Sequence, residues 1–441
     1  MIKAKVIGWH RQMTVVAAAA ALIWGASGLL HPLMSWTNPR AEAFMPPRVE
    51  SFAIDRALPD VLRRLDINQY QELRQIGDVV QVMLPGQPER LYINIKTGKL
   101  LPGGDRERAV KLARHYAGLT EASIREVVLV TAFSPEYTHT NRYLPVWKVS
   151  FDDPRRLFVY VDTRTDRLAS ITDRRKVILQ SLFQILHTGA WLESVEVLRL
   201  TVIGFLMLAA LGIILSGLYM LLRLRGQRRG WRKLHRGLAY AASLPLMMFT
   251  ISGFFHLFVQ SPLIYGAHAD VPVSVDVGAL RHMPEGKADD LRFVAPAWWR
   301  VEQGKDVTYL NAMEGRRIEG DAAFVRERVP EAQGEIRLVT SFTDEYGFAY
   351  KRLPVWRVDT GRELIFFEAR TGAVAARIDP LKAAESWSFS RMHKWQFLDS
   401  LSERISGPGP FKAAFRDAVM VLFILAGLGM SVLGLLIRFK R

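Results

Sequence analysis

The sequence predicts an integral membrane α-helical bundle of four transmembrane helices, with two α+β extracytoplasmic domains and an internal tandem duplication. Three observations predict it. Four apolar stretches reach the roughly 20 residues that a helix needs to cross a bilayer. The basic residues beside them fall on one side of a four-span arrangement. Two sets of motifs recur, in the same order, in the two halves of the chain.

The spans come first. They cover residues 13–34, 200–222, 237–259 and 418–437. Lys3, Lys5 and Arg11 precede the first. Arg223, Arg225, Arg228, Arg229, Arg232, Lys233 and Arg236 fill the short loop between the second and third, with no acid among them. Arg438, Lys440 and Arg441 follow the fourth. The positive-inside rule puts all three clusters in the cytoplasm, with both termini, and the two long loops on the far side. In a cell with two membranes that side is the periplasm. The expected organisation is a first transmembrane helix (1–34), a periplasmic domain (35–194), a second helix (195–223), a basic cytoplasmic loop (224–236), a third helix (237–259), a second periplasmic domain (260–416), and a fourth helix with a basic tail (417–441). Ala41-Glu42-Ala43 after a basic, apolar N-terminus also resembles a signal-peptide cleavage site. The apolar run is long for that and has a counterpart in the third span, so a retained helix is expected.

Composition narrows the function. The chain has 441 residues, 59 Lys plus Arg against 43 Asp plus Glu, a net charge of +16, and 49 % hydrophobic residues. A chain this apolar is not disordered. There is no cysteine. That removes disulfide scaffolds, Cys-ligated zinc and iron–sulfur centres, c-type haem attachment and Cys nucleophiles. The lipid bilayer, not nucleic acid, accounts for the basic excess.

The repeat is read from motifs. Leu129-Val-Thr-Ala-Phe-Ser-Pro-Glu-Tyr137 matches Leu338-Val-Thr-Ser-Phe-Thr-Asp-Glu-Tyr346, and Leu144-Pro-Val-Trp-Lys-Val149 matches Leu353-Pro-Val-Trp-Arg-Val358 in the same register. His10-Arg11 matches His235-Arg236, and Ser27-Gly28-Leu-Leu-His31 matches Ser252-Gly253-Phe-Phe-His256. His187 and His393 are looser counterparts ahead of spans two and four. In the outer loops, residues 91–98, 157–164, 309–315 and 364–372 alternate as strands that run into turns. Residues 105–117 read as an amphipathic helix. Strand-and-turn units recur about twice per half, so each outer loop is expected to hold two small units.

No hydrolase, P-loop or dinucleotide signature is present, and no catalytic acid, base or nucleophile is expected. The glycines of the fourth span read as helix-packing residues. The histidines are the informative set. His10 and His31 are 21 residues apart, about 31 Å along a helix, and fall within about 60° of each other around it. His235 and His256 repeat that spacing. Ionisable groups at such positions point to function. Neutral imidazole is a common axial ligand of haem iron, and bundle cores hold cofactors between facing helices. His10 with His235 would make a cytoplasmic-side site. His31 with His256 would make an outer-side site, or would share it with His187 and His393. Two haems would then form a wire across the membrane. Ligand type alone leaves zinc or copper open, and interfacial roles or hydrogen bonds to carbonyls are the plainer readings. His115, His139, His268 and His282 read as surface histidines. Trp9, Trp36, Trp191 and Trp395 read as an aromatic belt, and Trp24 as packing on a macrocycle or a helix.

The ordered set of His-Arg, Ser-Gly-x-x-His, His187-Thr-Gly, His393-Lys-Trp and Leu-Pro-Val-Trp motifs resembles the PepSY-associated transmembrane family along essentially the whole chain. Within that family it resembles the inner-membrane di-haem siderophore reductases. The resemblance implies PepSY-like periplasmic domains, two b-type haems on the histidines above, and electron transfer to a ferric siderophore, hydroxamates among the candidates. It also implies release of Fe(II) for iron uptake and a separate cytoplasmic or quinol electron donor. Two other readings stay open: a transporter or permease for iron chelates or peptides, and a non-catalytic PepSY protein that binds a peptidase.

Overall fold

The structure is a computed structural model that describes residues 2–224, 229–264, 273–343, 345–347, 350–406 and 411–440. Arg225 and Arg228 of the basic loop, His268, Asp344 of the second motif and Arg441 lie outside the described residues. The chain forms two compact units. One is Met1–Asn38, Arg175–His268 and Leu381–Arg441, and the other Pro39–Arg174 and Ala269–Pro380.

The first unit is a bundle of four helices long and apolar enough to cross a membrane. They are Ile2–Gly28, Glu196–Arg223, Trp231–Val259 and Phe411–Phe439. The first packs on the second and fourth, and so does the third, closing a four-membered ring. Small side chains dominate its inside: Ala17, Ala18, Ala20 and Ser27 on the first helix, Gly204, Ala209, Ala210 and Ser216 on the second, and Ala239, Ala242, Ser243 and Ser252 on the third. Large apolar residues such as Ile23, Leu208, Leu244 and Leu422 are exposed. This inverts a water-soluble core. In lipid, burying leucine gains little, and close backbone approach through small residues drives packing. A Cβ on Gly25 would lie 2.7 Å from Leu428, and one on Gly212 2.5 Å from the Trp9 ring.

Each helix outruns the apolar stretch that predicts it, because basic residues continue the backbone pattern after hydropathy ends. The first breaks after Gly28 and resumes as Leu30–Thr37. Pro32 has no N–H to offer the Gly28 carbonyl, which accounts for the break. Short helices precede spans two and four, Arg174–Phe183 and Pro380–Ser388, and each runs into a five-residue π-helical turn, Gln184–Thr188 and Phe389–His393.

The second unit is β-rich, with both outer segments contributing. Its centre is an eight-stranded antiparallel sheet, four strands from each segment. Glu72–Ile76 of the first segment lies beside Asp290–Val294 of the second, with Leu291 opposite Gln75 and Arg292 opposite Arg74. Two short ladders also join the segments, Phe52–Ala53 with Lys287–Ala288 and Gln69–Tyr70 with Val275–Asp276. Tyr70, Leu73 and Val82 share one apolar core with Leu291, Phe293 and Trp299. Each segment also carries its own four-stranded antiparallel sheet, between Ile124–Val130 and Arg167–Thr172 in one and Arg337–Val339 and Ala373–Ile378 in the other. The amphipathic helix is Gly104–Ala117, with Ala109, Leu112, Ala113 and Tyr116 inward.

The matched motifs of the outer segments make matched contacts. The Tyr137 hydroxyl donates to the Tyr143 carbonyl at 2.9 Å, and that of Tyr346 to the Arg352 carbonyl at 2.8 Å. Tyr137 stacks on Tyr160 and Tyr346 on Phe366, both with ring centres 4.5 Å apart.

Candidate functional site

The candidate residues lie on the bundle helices and on the two π-turns. In each π-turn the histidine stacks on a phenylalanine four positions earlier. Phe183 lies 4.6 Å from His187 at 15°, and Phe389 lies 4.6 Å from His393 at 14°. Turns of this kind concentrate at functional sites. Each histidine then meets the Ser-Gly pair of a span helix. His187 Nδ1 is 3.0 Å from Ser27 Oγ, and His393 Nδ1 is 3.2 Å from Ser252 Oγ. Cβ atoms built on Gly28 and Gly253 would lie 3.8 and 3.5 Å from Cε1 of the same rings. The two rings are 6.3 Å apart between centres, with planes at 77°.

At the other end of the bundle, His10 Nδ1 lies 2.8 Å from Ser216 Oγ, and His235 Nδ1 lies 3.0 Å from the Met430 carbonyl. Cβ atoms on Gly217 and Gly434 would stand 3.4 and 3.5 Å from Cε1 of these rings.

These partners assign the tautomers. A carbonyl or carboxylate oxygen only accepts, so His235 donates from Nδ1 to Met430, and His256 donates from Nδ1 to Glu385 at 2.6 Å. A serine hydroxyl has one proton. Ser27 gives it to the Trp24 carbonyl at 3.2 Å, Ser216 to Ile213 at 2.9 Å, and Ser252 to Met248 at 2.7 Å. Each serine therefore accepts from its histidine. In five of the six candidates Nδ1 carries a proton, and in the neutral ring Nε2 keeps its lone pair. Nε2 has no hydrogen-bond partner among the described residues in any of the five. This is the form of a metal-ligating histidine, held by its other nitrogen.

His31 differs. It is exposed, and its ring lies 6.2 Å from Phe183 at 57°. His256, its counterpart in the motif, stacks on Phe389 at 4.0 Å, and Gln260 donates to the second oxygen of Glu385 at 2.9 Å. Counting back from His393 and His187, Leu179 stands where Glu385 does. Of His31, His187, His256 and His393, the structure brings the rings of His187 and His393 together.

Neutral imidazoles of this form could hold a metal-bearing group through Nε2. Among the described residues, no three His, Asp or Glu side chains converge as a protein-built zinc centre requires. His187 and His393, with ring centres 6.3 Å apart, are the pair that would hold such a group.

Of the remaining histidines, His115 donates from Nε2 to the Met45 carbonyl, 2.9 Å away. Trp9, Trp36 and Trp191 are exposed, as a belt requires. Trp395 is not part of it. It is buried, stacks on Phe249 at 5.4 Å and donates from its indole nitrogen to the Met392 carbonyl at 3.0 Å. Sequence reasoning named Ser27, Ser252 and Gly434 only as motif or packing residues and passed over Phe183, Phe389 and Gly217. Each has a counterpart in the other half of the chain, a signal that was there to read. Ser216 and Glu385 left no such signal.

No family model matches the chain, and no curated protein or solved structure does.

Proposed function

We propose that this chain is a haem-bearing reductase of the bacterial inner membrane. It takes electrons from a cytoplasmic or quinol donor and delivers them to ferric siderophore in the periplasm, releasing Fe(II). The reading includes a tandem duplication and membership of the PepSY-associated transmembrane family, with the basic loop cytoplasmic and the β-rich domains periplasmic. The observation that carries it is the set of imidazoles fixed through Nδ1, with Nε2 left as a lone pair, near both ends of one bundle.

A haem held between two imidazoles supplies reversible one-electron transfer. The chain's residues do the rest. His187 and His393 would hold one b-type haem on the outer side, and His10 and His235 the other near the basic loop. Ser27, Ser252, Ser216 and the Met430 carbonyl set the tautomer and aim Nε2. Phe183 and Phe389 hold the ring planes. The small-residue interior brings the helices close and excludes water. His256, with Glu385 on Nδ1, and His31 stand beside the outer pair as further candidate ligands. Siderophores grip Fe(III) through hard oxygen donors, and Fe(II) is softer, so one electron weakens the grip without a nucleophile or base.

Inside-out vesicles test the activity. Vesicles containing the protein, ferric hydroxamate in the lumen and a lumenal Fe(II)-specific dye should colour when quinol is supplied. Vesicles that lose intact chelate from the lumen without colour would point instead to transport.

A further inference from the structure

The seam of the eight-stranded sheet holds an arginine cluster that its carboxylates do not balance. Arg74 and Arg292 face each other directly across neighbouring strands, a pairing that repels. Arg164 and Arg370 reach the same point from the turns after strands Phe158–Asp162 and Leu364–Glu368. Together with Glu72 these four arginines line a cavity of about 20 Å³. That is room for one particle slightly larger than a water molecule.

The ion pairs show where the deficit lies. Arg74 binds Asp166 at 2.6 Å and Asp290 at 2.8 Å. Arg108 shares Asp166, at 2.6 Å. Glu72 serves Arg90 at 2.8 Å and Arg164 at 3.1 Å. Asp290 must also serve Arg292 and, at 3.2 Å, Arg370. Three carboxylates thus meet six arginines, and Arg90 also has Asp105 and Asp162 close by. Arg292 is 4 % exposed, its Nη1 donates to the Arg164 carbonyl at 2.5 Å, and its Nη2 has no hydrogen-bond partner among the described residues. Burial, with Arg74 and Arg370 adjacent, pushes this guanidinium down to about 9. A buried unpaired donor on a charged group is costly.

The matched turns explain why Arg292 is short of a partner. In Asp162-Thr-Arg-Thr-Asp166 the last residue has φ 60° and supplies the second carboxylate to Arg74. In Glu368-Ala-Arg-Thr-Gly372 the last residue has φ 74° and is glycine, with no side chain to give Arg292. A Cβ there would lie 2.7 Å from Val294.

We propose that a single monovalent anion of halide size occupies this cavity, accepts from Arg292 Nη2, and supplies the charge that Gly372 withholds. A neutral water would satisfy the donor and leave the excess positive charge. The anion is thereby a structural ligand that ties the two outer segments together at their shared sheet.

The full-length protein in detergent tests this at fixed ionic strength, with sodium gluconate replaced stepwise by sodium chloride or bromide. Unfolding is followed by tryptophan fluorescence. The midpoint should rise saturably, by about 2–4 °C at roughly five times the dissociation constant, and Arg292→Gln should abolish the rise. Identical midpoints in gluconate and halide at every concentration would overturn the proposal. Should Arg292→Gln fail to fold, bromide-soaked crystals of the unaltered protein decide. An anomalous peak beside Arg292 supports the site, and its absence in crystals that bind bromide elsewhere refutes it.

Discussion

A serine hydroxyl has one proton, and at Ser27 and Ser252 a helix carbonyl takes it. The histidine beside each must then donate, which leaves Nε2 with its lone pair. Ser27→Ala and Ser252→Ala remove this constraint and keep the imidazole. Outer-shell changes of this kind cost about 10–100-fold in metal-site affinity. Haem titrations should show weaker binding at the outer site for both variants, with recovery in Ser27→Thr. Unchanged affinity in both alanine variants would mean the hydroxyls do not orient the rings. His187→Ala and His393→Ala should each lose about half of the pigment, since the proposed haem there would be held by both imidazoles. At this scale the sequence was partly legible. The duplicated histidines and the Ser-Gly pairs stand out by repetition. Which histidine each serine holds does not, because Ser27 and His187 are 160 positions apart. Trp395 was misread for a related reason. Its position near a span end suggests lipid contact, but only the packing of Phe249 and Phe423 reveals burial.

The span helices were the most legible elements, because twenty consecutive apolar residues are a property of composition alone. Their ends were less so. Hydropathy stops where Lys3, Lys5 and Arg11 begin, while the helix goes on to Ile2. The π-turns were invisible, since one inserted residue per turn leaves no mark on an apolar periodicity. Strands announced themselves by alternation, yet the pairing of Glu72–Ile76 with Asp290–Val294 joins positions more than 200 apart and has no local signature. Helix packing also yields a test at the inner end. Gly217 and Gly434 admit the rings of His10 and His235 against the backbone of the neighbouring helix. Gly217→Leu or Gly434→Leu should displace the ring and remove the inner haem, leaving about half the pigment with the outer site intact. Full pigment with an unshifted spectrum in both variants would move the inner site elsewhere.

Across the whole molecule, the outer segments are bound by shared strands, a shared core and buried ion pairs. Glu368 is fully buried and takes Arg167 from the other segment, as well as Arg352 at 2.7 Å. Burial raises its carboxyl, but Arg167 and Arg352 outweigh that and hold it well below the usual range. A carboxylate whose folded pKa is depressed contributes stability that is present above its unfolded pKa and lost as pH falls. Thermal stability should therefore be level above about pH 5 and fall steadily below it. Glu368→Gln should cost about 3–5 kcal/mol near neutrality, by leaving buried arginines unpaired, and flatten the acid decline. An acid limb of equal slope in the variant would mean that Glu368 contributes nothing to it. The bundle, for its part, stands or falls on whether its tautomer-fixed histidines bind iron porphyrin. The absorbance spectrum of protein purified from cells supplied with haem precursor is the most direct test. The account predicts a Soret band that sharpens and shifts on dithionite reduction, with about two haems per chain. A colourless preparation that takes up no added haem would contradict it.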